Sequence, residues 1–224
     1  MNDSTPTAPV ILRIALIVIG LGLWFLTQRL LRYRPDGEGV LGDGLHVLTV
    51  RINQALLVHP RWANGLLIVS SLGIDVLSCF VLAYSVFGPS VRPFAGLIIL
   101  FFLRQLCQAL CALPPPQGMI WRSPGIPSLL VTYGTTNDLF FSGHTALAVY
   151  GAIELARWGG LEWAVAGALI AMFEMAAVIV LRAHYTMDVF AGAVTAFAAA
   201  VIAQRIAPTC DHWLALLGRH LGLG

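Results

Sequence analysis

Two histidines and one aspartate stand in settings suited to chemistry at phosphorus. His144 follows a glycine in the run Phe141-Ser142-Gly143-His144-Thr145. Glycine lets backbone N–H groups approach an anion closely, and a helix start favours phosphate. His184 lies in Arg182-Ala183-His184-Tyr185-Thr186-Met187-Asp188, four residues before Asp188, a spacing that puts both on one side of a helix. A carboxylate so placed can hold one imidazole nitrogen protonated, leave the other free to attack phosphorus, and stabilise the positive phosphohistidine that results. Taken singly, each feature has a plainer reading as an interfacial histidine or a helical pair. Together, beside arginines, they describe one nucleophile and one acid. No metal and no cofactor is required.

The elements that must position these groups are apolar. Of 224 residues 58% are hydrophobic and 11% charged, so the solvent for most of the chain is lipid. A spanning helix needs roughly 20 apolar residues, and runs of that kind fall at 10–28, 64–87, 91–113, 144–158, 161–181 and 189–206. The expected fold is all-α, a polytopic membrane bundle of about six transmembrane helices. One interfacial helix joins them, with Leu45, Leu48, Ile52 and Leu56 at helical spacing. Residues 10–206 form one integral membrane catalytic domain, between tails at 1–9 and 207–224. The first run carries only Arg13 as an early charge and reads as a retained span.

If the fourth span starts at one face, the fifth returns there and the sixth departs from it. His144, His184 and Asp188 therefore share a face. The third span also ends there, which sets the proline- and glycine-rich connection 114–139 over them as a lid or substrate wall.

Charge at depth needs a partner. Arg104 and Glu174 sit at similar depth and are expected either to pair or to bind a headgroup; Asp75 is expected to be satisfied structurally. Trp121, Tyr133, Trp158 and Trp163 read as interfacial aromatics, Cys79, Cys107, Cys111 and Cys210 as small buried hydrophobes, and His46, His59, His212 and His220 as surface groups. A formal charge of +2 with no basic run excludes nucleic acid. All thirteen basic residues are arginine, a bias that, with the Ala, Leu and Gly content, points to a bacterial inner membrane.

Ser142-Gly143-His144 and His184-x-x-x-Asp188 resemble the second and third signatures of the type 2 phosphatidic acid phosphatase superfamily. Asn137-Asp138 leading into Phe141-Ser142-Gly143-His144-Thr145, with His184-Tyr185-Thr186-x-Asp188, is similar to its sphingomyelin synthase branch, which takes in the phosphatidylcholine:diacylglycerol cholinephosphotransferases. Arg104 matches an arginine-to-Leu-Pro spacing in that branch, and Arg182 stands where the plant transferases carry an arginine. The chain departs from the phosphatases in having no lysine, with Phe141 in place of a proline and Val178 in place of an arginine. Fewer cations suit a singly charged phosphodiester.

The resemblance implies His184 as nucleophile, Asp188 as its orienting group, and His144 as acid toward the departing alcohol and then base toward the incoming one. The expected substrate site takes in Arg104, Ser142, Gly143, Arg182 and Tyr185, with Glu174 added by its depth in the membrane; Asp138 matches an acidic position of that branch and is expected to meet a choline-like cation, to orient a histidine, or to stand as a solvated loop acid. The implied activity moves phosphocholine or phosphoethanolamine from a phospholipid donor to a lipid alcohol acceptor, diacylglycerol or ceramide-like. The alternatives are a lipid phosphate phosphatase or phospholipase C-like hydrolase at the same site, and a non-catalytic membrane scaffold. Self-association as a homo-oligomer is left open.

Overall fold

The structure, a computed structural model, describes residues 8–31, 39, 41–131, 133 and 139–223. Among them are eight α-helices and no strand: α1 (Val10–Leu31), α2 (Gly44–Leu48), α3 (Val50–Val58), α4 (Pro60–Phe87), α5 (Arg92–Leu110), α6 (Gly143–Gly159), α7 (Leu161–Val180) and α8 (Thr186–His220). Five of these, α1, α4, α5, α7 and α8, are long and apolar enough to cross a bilayer. The sixth expected span, α6, has 17 residues, about 25 Å at ~1.5 Å per residue. It must still cross, because α5 ends and α8 begins on the side where it starts. It can do so with a less apolar sequence because protein, not lipid, surrounds it: residues 144–151 are all buried, and α6 packs on both α7 and α8.

Small residues permit that packing. A Cβ on Gly96 of α5 would stand 2.0 Å from the Tyr150 hydroxyl of α6, which instead donates to the Pro93 carbonyl at 2.9 Å. A Cβ on Gly192 of α8 would meet the Ser142 carbonyl at 2.6 Å, so this glycine sets the approach of α8 to the start of α6. Outward, the bundle shows lipid its large side chains: Ile19, Leu23, Val76, Phe102, Phe190 and Phe197 are all exposed.

The expected interfacial segment is two short helices with their polarity turned inward. Leu45, Leu48 and Ile52 are exposed, whereas His46, Asn53 and Leu56 are buried. Asn53 Nδ2 donates to the Gly118 and Val180 carbonyls. At the opposite face, fully buried Glu154 accepts from Arg92 and Arg157 at 2.7 and 2.8 Å, and Asp211 accepts from Ser90 Oγ and the Val91 N–H. That last contact comes from the continuation of α8, which stays helical through Pro208 to His220. Asp211 of the continuation bonds the turn after α4, a Cβ on Gly218 would meet Pro9 just before α1, and Ala215 between them is buried.

Candidate functional site

The connection from α5 to α6 is a wall fixed at many points. The Ile120 N–H donates to the Leu181 carbonyl, Tyr185 Oη to the Pro114 carbonyl, and Arg182 to the carbonyls of Gln117 and His46. Its deepest part descends into the bundle, where Asp75, midway along α4, accepts from the Leu129 and Leu130 N–H groups at 2.9 and 3.3 Å. Irregular backbone at such depth is tolerated where protein buries it or where it lines a cavity. Here the descent puts Leu130 and Val131 into the lining of a cleft. The structural role expected of Asp75 is the one seen.

The same cleft is lined by Arg104, Gly143, His144, Ala183 and His184, with Trp24, Phe101 and Trp121 as aromatic walls. It has about 40 Å³ of free space, enough for a few water molecules. His144 enters from the first turn of α6, where Ser142 is the N-cap and its Oγ accepts from the Thr145 N–H. Phe141, just before the cap, is held at φ 86°, a costly conformation for a bulky residue. A Cβ on Gly143 would lie 3.1 Å from Arg104 Nε, so the absence of a side chain there lets the guanidinium lie against the helix start. Trp121 meets His144 edge-on at 5.1 Å, and His144 Nε2 is buried without a hydrogen-bond partner.

His184 precedes α8, and this alters the expected pairing. Its Nδ1 lies 2.9 Å from the Leu139 carbonyl, which can only accept, so Nδ1 carries the proton and Nε2 the lone pair. Asp188, at the third position of α8, stands 3.7 Å from that Nδ1. Its Oδ2 accepts instead from the Tyr185 N–H at 2.8 Å, closing a capping box. The carboxylate is thus a nearby charge, and the loop carbonyl is the hydrogen-bond partner. Asp188 is fully buried, and its Oδ1 has no hydrogen-bond partner.

The other expected site residues divide. Arg104 and Gly143 line the cleft and Ser142 caps the helix below it. Arg182, at φ 52°, spends its guanidinium on backbone carbonyls outside the cleft lining. Tyr185 stacks on His46 and is likewise outside it; burial, with the Asp188 and Asp43 carboxylates, raises its phenol above the ordinary range. Arg104 and Glu174 do not pair: Arg104 donates to Gln28 Oε1 at 2.7 Å, and Glu174 accepts from Ser70 at 2.6 Å between α4 and α7. Asp138 lies outside the described residues.

Sequence reasoning missed His46, assigned to the surface but 5% exposed, with Nε2 donating to the His184 carbonyl at 3.0 Å. It missed Asp43 as well, whose carboxylate caps α2 and accepts from both the N–H and hydroxyl of Thr186. Burial pushes the Asp43 carboxyl upward, but the bonds from Thr186 and His46 outweigh it and hold it below its ordinary value. Trp121, assigned to an aromatic belt, is a wall of the cleft; its neighbour Tyr133 bonds Ser71 of α4.

Comparison with curated proteins and with solved structures gives no match. A family model described as AtPDCT1/2 matches residues 43–205, well over half of the chain and every cleft-lining residue except Trp24. The match corrects the expected placement in the type 2 phosphatidic acid phosphatase superfamily and its sphingomyelin synthase branch. The scaffold alternative falls with it, and a plant family gives no support to a bacterial inner membrane. An all-helical, lipid-facing bundle with this match belongs to the AtPDCT1/2 family, and the protein is an integral membrane transferase that handles lipids.

Proposed function

We propose that the chain moves phosphocholine from phosphatidylcholine to diacylglycerol, the activity for which the matching family is named, and that His184 and His144 carry the reaction. The observation that bears most weight is the bond from His184 Nδ1 to the Leu139 carbonyl, which leaves Nε2 basic in a cleft shared with His144 and Arg104. Nε2 attacks phosphorus and the P–O bond to the donor's glycerol breaks. His144 gives a proton to the departing alkoxide, so diacylglycerol leaves and a phosphocholine–imidazole adduct remains. An incoming diacylglycerol then loses its hydroxyl proton to His144, and its oxygen displaces Nε2 from phosphorus. Arg104, beside Gly143 at the α6 N-terminus, offsets the diester's single negative charge. The aromatic walls supply faces on which a quaternary ammonium can rest.

Reconstituted protein tests this with choline-labelled phosphatidylcholine and a diacylglycerol of different acyl composition. Label should appear on phosphatidylcholine bearing the new acyl chains, and His184→Ala and His144→Ala should each lower the rate by about 10²–10⁴-fold. Free phosphocholine as the sole labelled product would assign the site to hydrolysis instead. Full turnover in both variants would remove the histidines from the mechanism.

A further inference from the structure

A second concavity lies between α1 and α5, two helices long and apolar enough to cross a bilayer. The two helices approach closely at Gly20, where a Cβ would meet Phe94 Cζ at 2.6 Å and Ile98 Cδ1 at 2.8 Å. From there toward the cleft's side of the membrane they bound a groove of about 540 Å³, walled by Leu23, Leu30, Phe102 and Ala109 among others. From Gly20 to Leu30 the groove runs about 15 Å at ~1.5 Å per residue. Its inner wall is the stacked pair Trp24 and Phe101, 4.5 Å between centroids, and these same rings face the cleft holding His144 and His184. Apolar groove and reaction cleft are therefore adjoining compartments.

Two buried polar atoms at this boundary have no hydrogen-bond partner: Trp24 Nε1, a donor, and Gln105 Oε1, an acceptor. Gln105's assignment follows from its neighbours. Arginine can only donate, so the Gln28 atom facing Arg104 is oxygen. Gln105 presents its nitrogen to that same oxygen at 3.0 Å, which leaves its own carbonyl oxygen lacking a donor. A neutral lipid with ester carbonyls and one free hydroxyl supplies both missing partners. A phosphatidylcholine supplies the carbonyls but has no hydroxyl, and its quaternary ammonium cannot donate. We infer that the α1–α5 groove is the acceptor's seat: it holds an acyl chain of the diacylglycerol with the glycerol end at Trp24 and Gln105, where the hydroxyl rests on Gln105 Oε1 until it passes the aromatic pair into the cleft to react. This rests on the proposed transfer reaction for the acceptor's identity. It assigns α1, which lies outside the family match at 43–205, a part in substrate binding.

Labelling separates this inference from the reaction. A diacylglycerol carrying a photoreactive diazirine in one acyl chain, irradiated with the reconstituted protein, should label residues within 23–30 and 102–109. Excess dioleoylglycerol should suppress that labelling at least tenfold more effectively than excess phosphatidylcholine. Labels elsewhere, or equal competition by the two lipids, would overturn the assignment. Labelling as described in a protein with no transferase activity would support the groove and sink the reaction. In an active protein, Leu23→Trp and Ala109→Trp, both at exposed positions, should lower the ratio of dioleoylglycerol to dioctanoylglycerol turnover about tenfold. An unchanged ratio would also overturn the inference.

Discussion

At the scale of single residues, Asp188 holds two roles that substitution can separate. It closes the capping box on α8 through Oδ2 and stands as a buried charge 3.7 Å from His184. Asp188→Asn keeps an oxygen for the Tyr185 N–H but removes the charge beside His184, so headgroup transfer should fall about 10–100-fold, the kind of loss seen when a group supporting a functional imidazole is removed. Its midpoint of thermal unfolding in detergent should stay within a few degrees of wild type. Asp188→Ala removes the cap as well, and should cost a further ~0.5–2 kcal/mol of stability. Equal activity in Asp188→Asn and wild type would make the residue a helix cap only. The residue types and spacing of His144, His184 and Asp188 were legible in the sequence. The partner of His184 was not, because a backbone carbonyl 45 residues away leaves no mark on side-chain patterns. His46 was hidden for the same reason: its partner lies 138 residues on.

Among the elements, the descending loop 128–131 depends on one carboxylate. Asp75→Ala would leave the Leu129 and Leu130 N–H groups without an acceptor, at ~1–3 kcal/mol for each that stays buried. Hydrogen exchange at those two amides should rise sharply while exchange along α4 stays slow; unaltered exchange would show that the loop holds itself. A second tether joins α2 to the start of α8 through Asp43. Its carboxyl lies below the ordinary value when folded, so its contribution is fully present above the unfolded pKa, about 3.9, and fades as pH falls through the lower folded value. The gap in unfolding temperature between wild type and Asp43→Ala should be constant from pH 7 to 5 and close below about 4. A gap that widened on acidification would refute this. The spans were legible because lipid demands unbroken apolar runs. The end of α8 was not, since Pro208 ordinarily interrupts a helix and here does not. The α2–α3 segment was legible as amphipathic, but Leu45, Leu48 and Ile52 of its apolar stripe face outward, as they can when the surroundings are lipid, and only Leu56 turns inward.

For the molecule as a whole, the bundle divides into a face built for reaction and a face built for closure. On the closure side, Glu154 with its two arginines and Asp211 with the α4–α5 turn lock four helices together. On the reaction side, polar groups are spent on fixing a loop against α3, α4 and α8, with little free space between. Because the groove between α1 and α5 is walled by side chains of two helices long and apolar enough to cross a bilayer, an acceptor that reaches it through lipid meets the enzyme in a two-dimensional collision. Velocity should then follow the mole fraction of diacylglycerol in the vesicle. Adding inert lipid at constant total diacylglycerol should slow the reaction in proportion, whereas adding buffer should leave it unchanged.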